Sequence, residues 1–207
     1  MNPPATAPAE AARPTPIAPP KTMGDEGKLP PTQQGAAPEM GATAPAAVGA
    51  QKRMGDEGTL LVVNAGNRKV IWDWISKERK GFVVDITDMS EDYAMIAMQG
   101  PESANLLAKI SDLDIEGLKY YHLTRSTVLG DPEVIVSRTG YTGEDGFELI
   151  MHTKKAAHFW RELMNVGKPL GVGPAGLGCR DTLRLEAGMP LHGHEISDTI
   201  NPLEAGL

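Results

Sequence analysis

The sequence is poor in cysteine, in aromatic residues and in positive charge. Cys179 is the single cysteine in 207 residues, so no intrachain disulfide can form and a reducing compartment is expected. Acidic side chains outnumber basic ones 27 to 20, a formal net charge of −7. No basic stripe is present, so nucleic acid is not an expected partner. No apolar run approaches the roughly 20 residues of a membrane-spanning helix, so no membrane association is expected. The N-terminus lacks the apolar centre of a secretory signal. The first aromatic residue is Trp72, whereas eleven of the 17 prolines fall within residues 1–50. Such a tract cannot bury enough apolar surface to offset the entropy of ordering it. Residues 1–58 are therefore expected to be disordered, and 59–207 to form one partial domain with a modest core.

From Thr59 onward, hydrophobic periodicity takes over. Strands are expected at Leu60–Val63, Phe82–Val84, Tyr93–Met98, Tyr121–Val128, Glu133–Ser137 and 147–151. Helices are expected over Arg68–Arg79, with Val70, Trp74 and Ile75 at helical spacing, and over Glu102–Ile110, with Pro101 at its first position. Two more follow, at Lys154–Val166 and Leu177–Ala187, the latter with Leu183 and Leu185 as core contacts. The order shows no steady βαβ rhythm, which points to an α+β fold with a mostly antiparallel sheet.

Between two apolar strands lies Ser137–Arg138–Thr139–Gly140–Tyr141–Thr142–Gly143–Glu144–Asp145–Gly146–Phe147–Glu148. It is too glycine-rich for a helix and too charged for a core, and reads as a shaped loop of the kind on which chemistry is mounted. Alternation sets Glu148 and Ile150 on one sheet face and Phe147 and Leu149 on the other. Glu148 is then either on a solvated outer face or a carboxylate facing a cavity. Arg180 and Arg184 share a helix face. They either form local salt bridges or point a guanidinium at an anion.

Three other patterns lead nowhere. Gly171–Val172–Gly173–Pro174–Ala175–Gly176 fits G-x-G-x-x-G, but it follows a helix rather than a strand, and Pro174 removes an N–H. His192–Gly193–His194–Glu195 has no further convergent ligand, so no metal site is expected. Cys179 is expected to be a small apolar filler.

Taken together, these stretches resemble the aminomethyltransferase family, the T-protein of the glycine cleavage system. The resemblance runs through Leu61–Val62–Val63–Asn64–Ala65–Gly66–Asn67–Arg68, Ala97–Met98–Gln99–Gly100–Pro101 and Arg138–Glu148. It continues through Gly178–Cys179–Arg180–Asp181–Thr182–Leu183–Arg184–Leu185–Glu186–Ala187–Gly188 and Pro202–Leu207, and so covers about 59–207.

The resemblance implies transfer of a one-carbon unit from the aminomethyl-lipoyl arm of H-protein to tetrahydrofolate, with release of ammonia. Tetrahydrofolate would be the co-substrate and lipoylated H-protein the partner. The location would be the cytoplasm, or the mitochondrial matrix in a eukaryote. By motif, Glu148 would hydrogen-bond the pterin, Arg180 would bind an anionic part of the folate, Asn64 would line the pocket and Tyr141 would form part of its wall. It assigns no catalytic acid or base, because Asp56 and Glu57 lack the strand context of the family's upstream aspartate. Parts of the family's cavity wall have no counterpart here, so weak folate binding and impaired turnover are expected. The alternative is a non-catalytic folate-binding module of the same fold, of the iron–sulfur maintenance type.

Overall fold

The computed structural model describes residues 50–53 and 58–207, all within one unit, Ala42–Leu207. The expected disorder of 1–49 and 54–57 lies outside the described residues. Within the expected disordered tract 1–58, Ala50–Arg53 forms a strand, β1, paired antiparallel with β2, Thr59–Val62. Regular structure thus starts ahead of the expected boundary at Thr59, because the backbone of β2 supplies a ladder to a segment without apolar alternation.

A single 3₁₀ turn, Ala65–Asn67, leads from β2 into helix α1, Arg68–Glu78. Its buried residue is Ile71, and Val70 is exposed. Phe82–Val84 is no strand. The three side chains are exposed, and among the described residues no ladder partner meets them. Apolar β-branched residues form a strand only where a second backbone is available.

The main sheet is antiparallel throughout, as expected. It contains β3 (Tyr93–Gln99), β4 (Leu123–Val128), β5 (Asp131–Ser137) and β6 (Gly146–His152) in the order β3-β6-β5-β4. Helix α2 (Ser103–Ile110) follows β3, and α3 (Thr153–Gly167) follows β6. Alternation along the strands sends Val134 and Val136 of β5, and Phe147, Leu149 and Met151 of β6, to one face. There they join Leu106, Leu107 and Ile110 of α2 and Phe159 and Leu163 of α3 in one core.

The opposite face is not solvated either. Ile135, Ser137 and Ile150 are 5% exposed or less. Glu148 lies on that face opposite Ser137 and is half-buried, so the outer-face reading fails.

The glycine pattern at 171–176 follows α3 and the turn Lys168–Leu170, and opens helix α4, Leu177–Glu186. No strand precedes it, as its context requires of a connector. On α4 the expected pattern is inverted. Leu183 and Leu185, expected as core contacts, are exposed, as is Leu177; Cys179 is exposed rather than filling a core, and Arg184 is the buried residue. Among the described residues no helix is long and apolar enough to cross a membrane.

Candidate functional site

The 138–146 loop is closed at its base by charge. Arg138 donates to both carboxylate oxygens of Asp145, Nε at 3.0 Å and Nη2 at 2.6 Å, and its Nη1 donates to the carbonyls of Ile115 and Leu118. A forked donor and a carboxylate lock one geometry. The Arg138 hydrogen bonds hold the Asp145 carboxyl below its usual value, against the cost of burial. The Asp145 carbonyl accepts from the Gly100 N–H and the Ser103 hydroxyl, so the loop base is tied to the start of α2.

Two of the loop glycines exist for Gln99. Its Nε2 donates to the carbonyls of Thr139 and Phe147 at 3.1 and 3.3 Å. A Cβ at Gly140 would come within 2.0 Å of the Gln99 Oε1, and one at Gly146 within 2.1 Å. Gly143 serves a different contact. It has a positive φ of 79°, and a Cβ there would come within 2.8 Å of the Ala187 Cβ. The loop therefore lies directly on the end of α4.

That packing carries Tyr141 to α4. The Arg180 guanidinium sits over the Tyr141 ring, 4.6 Å from its centroid, an attraction of about 0.5–2 kcal/mol according to solvation. The Tyr141 hydroxyl donates to the carbonyl of Pro190. Burial pushes its phenol pKa up, against the pull of Arg184 and Arg180. Arg180 itself is exposed.

One turn on, Arg184 is 2% exposed. Its Nε donates to Asp181 at 2.8 Å, and Nη1 donates to Glu195 at 2.5 Å and to the Met189 carbonyl at 3.2 Å. Asp181 and Glu195 hold the guanidinium charged against the cost of burial. The Leu191 N–H, and then Arg184, hold Glu195 below the usual carboxylate range. Glu195 is thus an ion-pair partner. Among the described residues no group of side chains could hold a metal. His192 lies near Asn67, with Nδ1 3.1 Å from the Asn67 amide nitrogen. Asn67 occupies the N-cap position of α1, yet its side chain does not cap the helix. It forgoes the usual contact for one across the fold.

The four residues assigned by resemblance are thus placed in three separate ways. Tyr141 and Arg180 meet directly. Glu148 enters from the sheet and accepts from Thr139 Oγ1 at 2.5 Å, with Ser137 Oγ 2.9 Å from that hydroxyl. Asn64 is exposed at the end of β2, where its carbonyl accepts from the Asn67 N–H. Beside it a hollow of about 380 Å³ is lined by Ala65, Gly66, Arg68, Lys69, Trp72 and Asp88. The Arg68 charge there is taken up by Asp88 at 3.0 Å and Glu91 at 2.7 Å. Ser90 first, then Arg68, lowers the Asp88 carboxyl to about 2.

Sequence reasoning missed Gln99, Asn67 and Glu195 as residues that shape the site. The i, i+3 spacing of Asp181 and Arg184 was a usable signal for the ion pair, but not for its burial.

Residues 50–207 match the family described as GCVT N-terminal domain. The aminomethyltransferase of Streptomyces avermitilis is 49% identical over 148 residues, 72% of this chain and 40% of that protein. The aminomethyltransferase of Koribacter versatilis is 48% identical over 150 residues, with the same coverage of each. The crystal structure of glycine cleavage system aminomethyltransferase T from Bartonella henselae superposes with a TM-score of 0.64 at 31% identity, over 73% of this chain and 39% of that one. The chain spans about two fifths of the length of these relatives.

Proposed function

The chain belongs to the GCVT N-terminal domain family, and on that premise we propose that it forms the folate-binding part of a glycine cleavage aminomethyltransferase. The reaction moves a one-carbon unit from the aminomethyl group on the lipoyl sulfur of H-protein to tetrahydrofolate. The carbon–sulfur and carbon–nitrogen bonds break, two bonds to folate nitrogens form, and ammonia and the lipoyl thiol leave. Lipoylated H-protein is the partner and tetrahydrofolate the co-substrate. The cytoplasm, or the mitochondrial matrix in a eukaryote, is the compartment this chemistry fits.

The contact between Arg180 and Tyr141 supports this reading most directly. It sets an exposed guanidinium against an aromatic wall. A guanidinium suits the anionic tail of a folate, and the tyrosine ring provides an apolar side. Glu148, half-buried on the sheet, would accept from the paired N–H donors of the pterin edge. Charge-assisted bonds of this kind are the strong ones. Asn64 would border the same pocket. These side chains bind and orient. The rate advantage would come from holding the folate nitrogen against the incoming carbon.

Titration of the chain with tetrahydrofolate by calorimetry tests the proposal. Glu148→Gln and Arg180→Ala should each weaken binding by about 10- to 150-fold, the equivalent of one hydrogen bond to a charged group at about 1.5–3 kcal/mol. Equal affinity in all three proteins, or no binding by the parent chain at millimolar ligand, would refute it. Turnover with aminomethylated H-protein then separates the transferase from a module that only binds folate.

A further inference from the structure

The segment 189–195 has no regular structure of its own apart from turns and one bridge, yet side chains of the 138–146 loop, of the turn before α1 and of the adjoining helix α4 converge on it. The Tyr141 hydroxyl donates to the Pro190 carbonyl. The Asn67 amide meets His192 at 3.1 Å. Arg184 reaches Glu195 and the Met189 carbonyl from inside α4. Glu195 closes the segment on itself by accepting from the Leu191 N–H at 3.0 Å.

A buried guanidinium is costly unless acceptors surround it. Helix α4 places one at 2% exposure while leaving Leu177 and Leu185 exposed. Stability alone would favour the reverse choice, since an apolar residue of similar size often replaces a buried ion pair without loss. A charge retained at that position is explained by what it holds. Asp181 takes the Nε side of the guanidinium within the helix, and Glu195 takes the Nη1 side from outside it.

We infer that Arg184 and Glu195 are positioning residues. Through the Pro190 carbonyl their ion pair sets the Tyr141 ring beneath Arg180, and through His192 it holds Asn67 beside Asn64. Neither needs to touch the ligand. The inference rests on the folate reading only for its effect on binding. The positioning itself is a property of the chain without ligand.

The coupling has a direct readout. With the full chain ring-labelled at tyrosine, Glu195→Gln keeps the side-chain shape but removes the charge opposite Arg184. It should shift the Tyr141 ring resonances, speed amide exchange at Leu191 and Glu195, and weaken tetrahydrofolate binding on the order of tenfold, the scale on which orienting partners act at other sites. Asp131→Asn breaks the Asp131–Lys155 pair, 2.7 Å long and elsewhere in the fold. It should lower the melting temperature while leaving the Tyr141 resonances and folate affinity unchanged, which separates positioning from a general loss of stability.

Tyr141→Phe reads the same link from the other end. Removal of the hydroxyl should speed exchange at Leu191, and this variant serves if Glu195→Gln does not fold. Unchanged Tyr141 resonances in Glu195→Gln, or unchanged Leu191 exchange in Tyr141→Phe, overturns the inference. Shifted resonances in a chain that binds no tetrahydrofolate would leave the positioning intact and defeat the folate reading alone.

Discussion

Replacing Gly146 with alanine places a methyl group where the Gln99 amide now sits. The added Cβ would lie 2.1 Å from Oε1, 2.4 Å from Cδ and 2.7 Å from Nε2, so the whole amide must leave. Its departure breaks the bonds from Nε2 to the Thr139 and Phe147 carbonyls, at about 0.5–1.5 kcal/mol each. The backbone itself raises no objection, since Gly146 is not among the glycines with positive φ. Alanine recovers about 0.4–1 kcal/mol by restricting the unfolded chain. Moving the Gln99 Oε1, which is buried without a hydrogen-bond partner, adds a further small relief. The two bonds together are worth about 1–3 kcal/mol, so the net loss is centred on about 1 kcal/mol. At about 2–4 °C per kcal/mol for a chain of this size, the melting temperature should fall by about 2–4 °C.

The decisive arm is the double mutant. In a Gln99→Ala background the amide is already gone and the space is open. Gly146→Ala should then cost nothing or stabilise, giving a coupling of about 1–2 kcal/mol in the thermodynamic cycle. Urea unfolding followed by circular dichroism measures all four proteins. Additive losses would show that the glycine is needed for its backbone and not for Gln99, and the steric account would be wrong.

Other consequences can be measured in the same way. Arg138→Met removes the bidentate bond to Asp145 together with the bonds to the Ile115 and Leu118 carbonyls, and should lower stability to urea by about 3 kcal/mol. Asp145 has a folded pKa below its unfolded value of about 3.9, chiefly because of Arg138. Its contribution is therefore complete above about pH 5 and is lost as pH falls through the folded value. Melting temperatures measured between pH 2 and 7 should drop less steeply on the acid side in Asp145→Asn than in the parent.

Sequence patterns located most of the fold because most of its core obeys periodicity. Phe147, Leu149 and Met151 alternate inward on β6, and Phe159 and Leu163 lie one turn apart on α3. Burial follows from spacing at such positions. Two elements escaped for one shared reason, namely that a strand is a relation between two backbones. Ala50–Arg53 carries no apolar pattern but finds β2 as a partner, while Phe82–Val84 carries the pattern and, among the described residues, finds none.

The same logic governs the site. The glycines at 140, 143 and 146 announce a loop, but what they make room for is Gln99, some forty residues earlier, and Ala187, some forty later. Helix α4 is the clearest instance. Read by its faces, its leucines belong inside and its arginines outside. Arg184 reverses this because Glu195 and the Met189 carbonyl, both beyond the end of the helix, supply the acceptors that make burial of a charge tolerable. A helical periodicity cannot announce acceptors that stand outside the helix. Motifs, by contrast, keep such side chains together even when their contacts are not readable. The resemblance therefore named Arg180 and Tyr141 as expectations, and the 4.6 Å contact between them had to come from the folded chain.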